Sequence, residues 1–180
     1  MNTRDIVYVA VFAALIAALG LLPPIPLSFI PVPVTAQSLG VMLAGSLLGS
    51  KRGGLALLLF LALVAVGLPI LAGGRGGFGV FLGPSGGFLL AFPIAAFVIG
   101  WLFERSPRRT NLGLAILFNL IGGIGVIYLI GIPWLAIATQ ISLADAAVGA
   151  AVFIPGDVIK VVIAAIATVT VQKTYPILRT

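Results

Sequence analysis

Six apolar stretches, each closed off by proline, glycine or charge, divide this chain at 6–22, 34–49, 54–72, 86–103, 112–131 and 155–172. A helix needs roughly 17 to 25 apolar residues to cross the hydrocarbon core of a bilayer. The segmentation therefore predicts an all-α integral membrane bundle of six transmembrane helices, with the short second stretch tilted less or only partly embedded. Of the 180 residues, 61% are hydrophobic and 8% charged, and the mean hydropathy is +1.29. A water-soluble domain this short would expose apolar patches large enough to aggregate, whereas lipid accepts them.

The connections carry their own signals. Pro23, Pro24, Pro26, Pro31 and Pro33 predict an extended link over 23–33, because proline lacks the N–H that continues a helix. Ser50 to Gly54 reads as a tight polar turn, Gly73 to Gly77 and Gly83 to Gly87 as a glycine-rich loop around Phe78–Leu82, and Glu104 to Asn111 as the most polar link. In the longer segment 132–154, Ser142-x-x-Asp145 predicts a capped short helix at the membrane surface. Pro155 suits the first residue of the last span. The first stretch is longer than the apolar part of a secretory leader, and Asp5 stands beside Arg4, so it reads as a span.

Charge orients this map. With both termini cytoplasmic, the inner links and tails hold Arg4, Lys51, Arg52, Arg105, Arg108, Arg109, Lys173 and Arg179, and the outer links hold only Arg75. That asymmetry follows the positive-inside rule, and five or seven spans would break it. No internal repeat or low-complexity tail interrupts the pattern, so one membrane domain covers 1–180.

Much chemistry is excluded. The net charge of +6 is not gathered into a basic run with interleaved aromatics, which argues against nucleic acid. With no Cys and no His there is no thiol nucleophile and no conventional metal site, and neither catalysis nor a cofactor is expected. Gly74 to Gly79 matches G-x-G-x-x-G literally but lacks the βαβ context of a dinucleotide site, and no P-loop occurs, so any ATP-driven work needs another subunit.

The informative charges are those left over: Arg75, Asp145, Asp157 and Lys160. Asp157 and Lys160 are three apart and share one helix face, presenting a carboxylate acceptor beside an ammonium donor within a span. They are either one wall of a polar site or a salt bridge that neutralises itself. Arg75 is either a ligand contact or a solvated loop cation. Gln37, early in the second span, is either a ligand contact or interhelical glue; Tyr128 and Asn119 in the fifth span are weaker candidates. In the first span, Ala10, Ala14 and Ala18 recur every four residues, as either a close-packing docking face or the ordinary alanine content of a bundle.

Ile30-Pro-Val-Pro-Val34 leading to Gln37, Gly45-x-Leu-Leu-Gly49, Leu71-x-Gly-Gly-Arg-Gly-Gly77, Phe81-Leu-Gly-Pro-Ser-Gly-Gly87 and Phe153-Ile-Pro-Gly-Asp-x-x-Lys160 run over nearly the whole chain. Together they resemble the BioY biotin-binding S-components of energy-coupling factor transporters. The resemblance implies a six-helix S-component of the bacterial cytoplasmic membrane, working with a membrane coupling (T) subunit and two ATPases. It implies that Asp157 and Lys160 line the biotin pocket and that the alanine-spaced first helix meets the coupling subunit. Where some members carry an asparagine and an arginine in or after the glycine-rich loops, this chain has Arg75 and, near the second place, Leu89. Gly74, Phe81 and Ser85 of those motifs complete the expected substrate-contacting set, with Phe78 and Phe81 covering an apolar body and 73–85 closing over the ligand.

Three other classes fit less well. A lipid-modifying enzyme would need clustered acid–base or metal-ligand groups, a passive channel a polar stripe through several spans, and an assembly subunit would keep Asp157 and Lys160 as a closed pair.

Overall fold

The computed structural model describes residues 2–27, 31–106 and 111–174, and among these the regular structure is helical apart from two isolated β-bridges, Ile25 with Val34 and Leu71 with Arg75. Arg108, Arg109 and Arg179 of the charge pattern, and Ile30, lie outside the described residues. Helix α1 spans Thr3–Leu19, α2 Gln37–Leu48, α3 Ser50–Ala65 and α5 Gly86–Arg105, with the single turn α4 at Gly79–Leu82. Next, α6 (Leu112–Leu120), a π-helical segment (Ile121–Val126) and α7 (Ile127–Thr139) form one continuous run; α8 (Leu143–Ala150), a 3-10 turn (Ala151–Phe153) and α9 (Ile154–Thr174) form another. Among the described residues, three helices are long and apolar enough to cross a membrane: Gly86–Arg105, Leu112–Thr139 and Leu143–Thr174.

Helix starts follow capping chemistry. Asn2 and Asp5 form a reciprocal capping box on α1. The capped short helix expected within 132–154 is present as α8, with the Ser142 hydroxyl accepting from the Asp145 amide at 3.1 Å.

Three boundaries depart furthest from expectation, each for a physical reason. Ser50 to Gly54 is the first turn of α3 rather than a loop: Glu104, from the far end of α5, accepts from the Ser50 amide at 2.7 Å and its hydroxyl at 2.8 Å. That carboxylate satisfies an orphan helix donor, so the reversal from α2 to α3 narrows to Gly49, whose φ of 85° suits glycine. The third helix stops at Ala65, and the chain turns at Gly67 (φ 107°) before Pro69. The fifth run passes through Pro133 and continues to Thr139, ending at left-handed Gln140. Pro133 removes one helical donor, which a packed membrane helix tolerates.

Glycines set the close crossings. A β-carbon on Gly45 of α2 would collide with Ile99 and the Ala96 carbonyl of α5, and one on Gly100 would strike the Gly49–Ser50 backbone. The α2 helix is consequently buried along most of its length, while Leu129, Ile137, Val148 and Ile159 face outward. The two ends of the bundle differ in chemistry. Arg4, Lys51, Arg52, Arg105 and Lys173 belong to one end, where Asp5 pairs with Arg52 at 2.8 Å; Arg75 and Lys160 stand at the other, around a cavity.

Candidate functional site

The cavity and its mouth take in about 640 Å³ of space between atoms, part of it open to the surroundings. Its walls come from the extended 32–35 segment, the first turn of α2, the Leu71 and Arg75 loop, the start of α5, the π-helical segment with α7, and the start of α9.

Its polar centre is Asp157, in the first turn of α9 and only 6% exposed. A helix N-terminus favours a carboxylate, and three donors surround this one. Lys160 Nζ donates to Oδ1 at 2.7 Å, Tyr128 donates its hydroxyl to Oδ2 at 2.7 Å, and the Ser38 hydroxyl lies 3.3 Å from Oδ1. Lys160 Nζ also donates to Ser38 Oγ at 3.0 Å. A carboxylate has about four acceptor positions and an ammonium three donors. One acceptor position on Asp157 and one proton on Lys160 therefore remain for a ligand.

Tyr128 reaches this centre because of the glycines in Ile121–Val126. A β-carbon on Gly122 would clash with Ile99, and one on Gly123 with Met42. Their absence lets the helix lie against α5 and α2. The π-helical turn, a form that recurs at functional sites, precedes Ile127 and Tyr128, both of which line the cavity. Phe88 stands edge-on to both Tyr128 and Phe153, with centroids 6.3 Å away in each case, and the three rings supply an apolar wall beside the charged pair.

Arg75 follows a tight turn in which Gly73 and Gly74 take φ of 78° and 69°. Its Nε donates to the Ala72 carbonyl at 3.3 Å, and the residue lines the cavity. Gln37 also lines the cavity, but its amide braces the backbone. Nε2 donates to the Ile16 and Ile70 carbonyls, both at 3.1 Å, and Oε1 accepts from the Ala72 amide at 3.0 Å. Both of its amide protons are thereby used in tying α1 and the Arg75 loop to α2.

The BioY family profile matches residues 1–177. The chain belongs to the BioY family. It is 52% identical over 183 residues to the biotin transporter BioY of Rhizobium etli, covering 99% of this chain and 98% of the relative. It is 48% identical over 183 residues to the biotin transporter BioY of Rhodobacter capsulatus, covering 96% and 95%. Its fold matches, with a TM-score of 0.90 at 37% identity over 96% of this chain and 95% of the other, the crystal structure at 2.1 Å of the S-component for biotin from an ECF-type ABC transporter.

Of the candidates drawn from the sequence, Asp157, Lys160, Arg75, Gln37, Ser85 and Tyr128 stand around this one BioY-family cavity. Phe81 is buried outside the cavity lining, its ring 6.1 Å from Phe78, and Gly74 lines a separate apolar hollow with Pro23 and Pro24. Ala10, Ala14 and Ala18 lie on the exposed face of α1. Asn119 is fully buried one turn below Gly123 and donates to the Ala115 carbonyl at 2.8 Å. Sequence reasoning missed Ser38 and Phe88, and named Phe153 only as the first residue of the motif that ends at Lys160. Ser38 carried a usable signal, a hydroxyl beside Gln37 at the head of a membrane helix, whereas nothing local distinguishes Phe88 from a core residue.

Proposed function

We propose that this chain binds biotin at the Asp157–Lys160 cavity and serves as the substrate-specific S-component of an ECF-type transporter. The observation that carries the reading is the incompletely satisfied polar centre: a buried carboxylate and a half-buried ammonium, each with one position left, beside a wall of aromatic rings. Biotin offers the complement, with ureido N–H donors for Asp157, a ureido carbonyl for Lys160, an apolar thiophane body for Phe88 and Phe153, and a carboxylate within the chemistry of Arg75. Ser85, Gly74, Phe81 and Gln37 shape or brace the surrounding loops in this reading. The similarity to biotin transporters and to an S-component for biotin supports the same cargo.

The same reading places one domain of six membrane-crossing helices over 1–180, multi-pass in the bacterial cytoplasmic membrane with both termini inside. The cavity then faces outward. The charge asymmetry between the two ends supports this orientation. Uptake draws on a membrane coupling subunit and two ATPases, and the exposed Ala10, Ala14 and Ala18 face of α1 supports docking of the coupling subunit there.

Calorimetry of biotin binding to the purified protein tests the cargo, with Asp157→Asn and Lys160→Ala beside the wild type. Tight wild-type binding weakened at least about tenfold by each change is expected, since losing a partner of a buried charge has a large effect. Absence of binding by folded wild-type protein would overturn the assignment and leave the pair as a structural salt bridge.

A further inference from the structure

Helices α5 and α7 cross through a reciprocal exchange of aromatic rings and glycines. The Phe88 ring of α5 lies on Gly131 of α7, and Trp134 of α7 lies on Gly87 of α5; a β-carbon on either glycine would run into the ring or Cβ opposite it. Trp134 also reaches past α5. Its indole Nε1 donates to the Gly83 carbonyl at 3.0 Å, across 51 residues of sequence. Gly83 begins the corner that carries Ser85, Phe88 and Leu89 into the cavity wall. Phe88 in turn stands edge-on to Tyr128, whose hydroxyl holds Asp157. Trp134 is absent from the cavity wall, so it acts on the site only through what it holds.

We infer that Trp134 is a positioning residue for the ligand site: it latches the Gly83–Phe88 corner onto α7, and so sets the place of Ser85 directly and of Tyr128 through Phe88. The inference deepens the biotin reading, since the ligand it serves rests on that proposal, but the latch is a property of the ligand-free protein. The corner has few other ties: α4 is a single turn, and Ser85 precedes α5 without a side-chain cap bond. Losing the indole donor leaves the Gly83 carbonyl only the local Gly86 amide at 2.9 Å, a bond within the corner itself, and removes its hydrogen bond to α7, a change worth about five- to tenfold in an opening equilibrium.

The chain has no cysteine, so Ser85→Cys is a sole thiol at a position 8% exposed. Its rate of alkylation by a water-soluble maleimide is measured with Trp134 intact and in Trp134→Phe, with Ser46→Cys, fully buried far from the corner, as the control. The expected result is alkylation of Ser85→Cys accelerated about five- to tenfold by Trp134→Phe, with the Ser46→Cys rate unchanged. Equal Ser85→Cys rates in the two backgrounds would overturn the latch, and acceleration at both sites would show general loosening and overturn it too. In the protein without introduced cysteine, Trp134→Phe is expected to speed biotin dissociation by a similar factor while association changes little. Biotin failing to bind wild-type protein while the thiol result holds would overturn the cargo alone; unchanged dissociation from a protein that does bind biotin would overturn the positioning role alone.

Discussion

Tyr128 donates its hydroxyl to Asp157 Oδ2 at 2.7 Å, joining a helix that follows three glycines to the first turn of the last helix. The contact fixes the rotation of a buried carboxylate whose other oxygen is held by Lys160 and Ser38. Tyr128→Phe keeps the ring packed against Phe88 and removes only that donor. A hydrogen bond to a charged group contributes about 1.5–3 kcal/mol, so titration calorimetry is expected to show biotin affinity reduced by about tenfold or more. Tyr8→Phe, at the opposite end of the bundle, is the matched control; equal affinities for the two variants would remove Tyr128 from the site.

Arg75 offers its guanidinium to the cavity from a loop held by the Leu71 bridge. If it pairs with the ligand carboxylate, wild-type protein prefers biotin to biotin methyl ester, and Arg75→Ala lowers affinity for biotin while leaving the ester nearly unchanged. Competition binding with the two ligands reads this directly. A preference that survives in Arg75→Ala would assign the carboxylate to another group.

Glu104 caps α3 from α5 through both the amide and hydroxyl of Ser50. Loss of a cap costs about 0.5–2 kcal/mol, so Glu104→Ala is expected to lower the melting temperature in detergent. The site lies at the other end of the bundle, and biotin affinity of the folded protein should stay within about twofold, as expected of distant, independent sites. Loss of affinity without loss of stability would contradict the division of the molecule into two ends.

Ala10, Ala14 and Ala18 are exposed on α1, so Ala14→Leu adds bulk to an exposed face. Biotin affinity should be unaffected, while co-purification with the coupling subunit should drop sharply, because small residues permit close helix approach. Undiminished co-purification would move the docking surface elsewhere.

The starts of α5 and α8 and the shared face of Asp157 and Lys160 were legible in the sequence, because glycine and proline breaks, caps and i, i+3 spacing act within one turn. The first turn of α3 was not. Ser50 to Gly54 looks like a polar turn until Glu104, 54 residues away, supplies the cap. The passage of the fifth run through Pro133 was hidden for a related reason, since neighbouring helices decide whether a missing donor matters.

By itself the sequence determined the solvent of this protein, because the length and spacing of apolar runs are measured against bilayer thickness, a one-dimensional comparison. It also determined that a carboxylate and an ammonium stand together on one helix face. Only the tertiary structure decided what those two groups face. Ser38 arrives from 119 residues away and Tyr128 from 29, brought in where glycines let α2, α5 and the π-helical segment approach. The Gln37 amide was turned to the backbone by the same packing. Such contacts depend on which helix surfaces meet, and that is settled by close packing among all of them together.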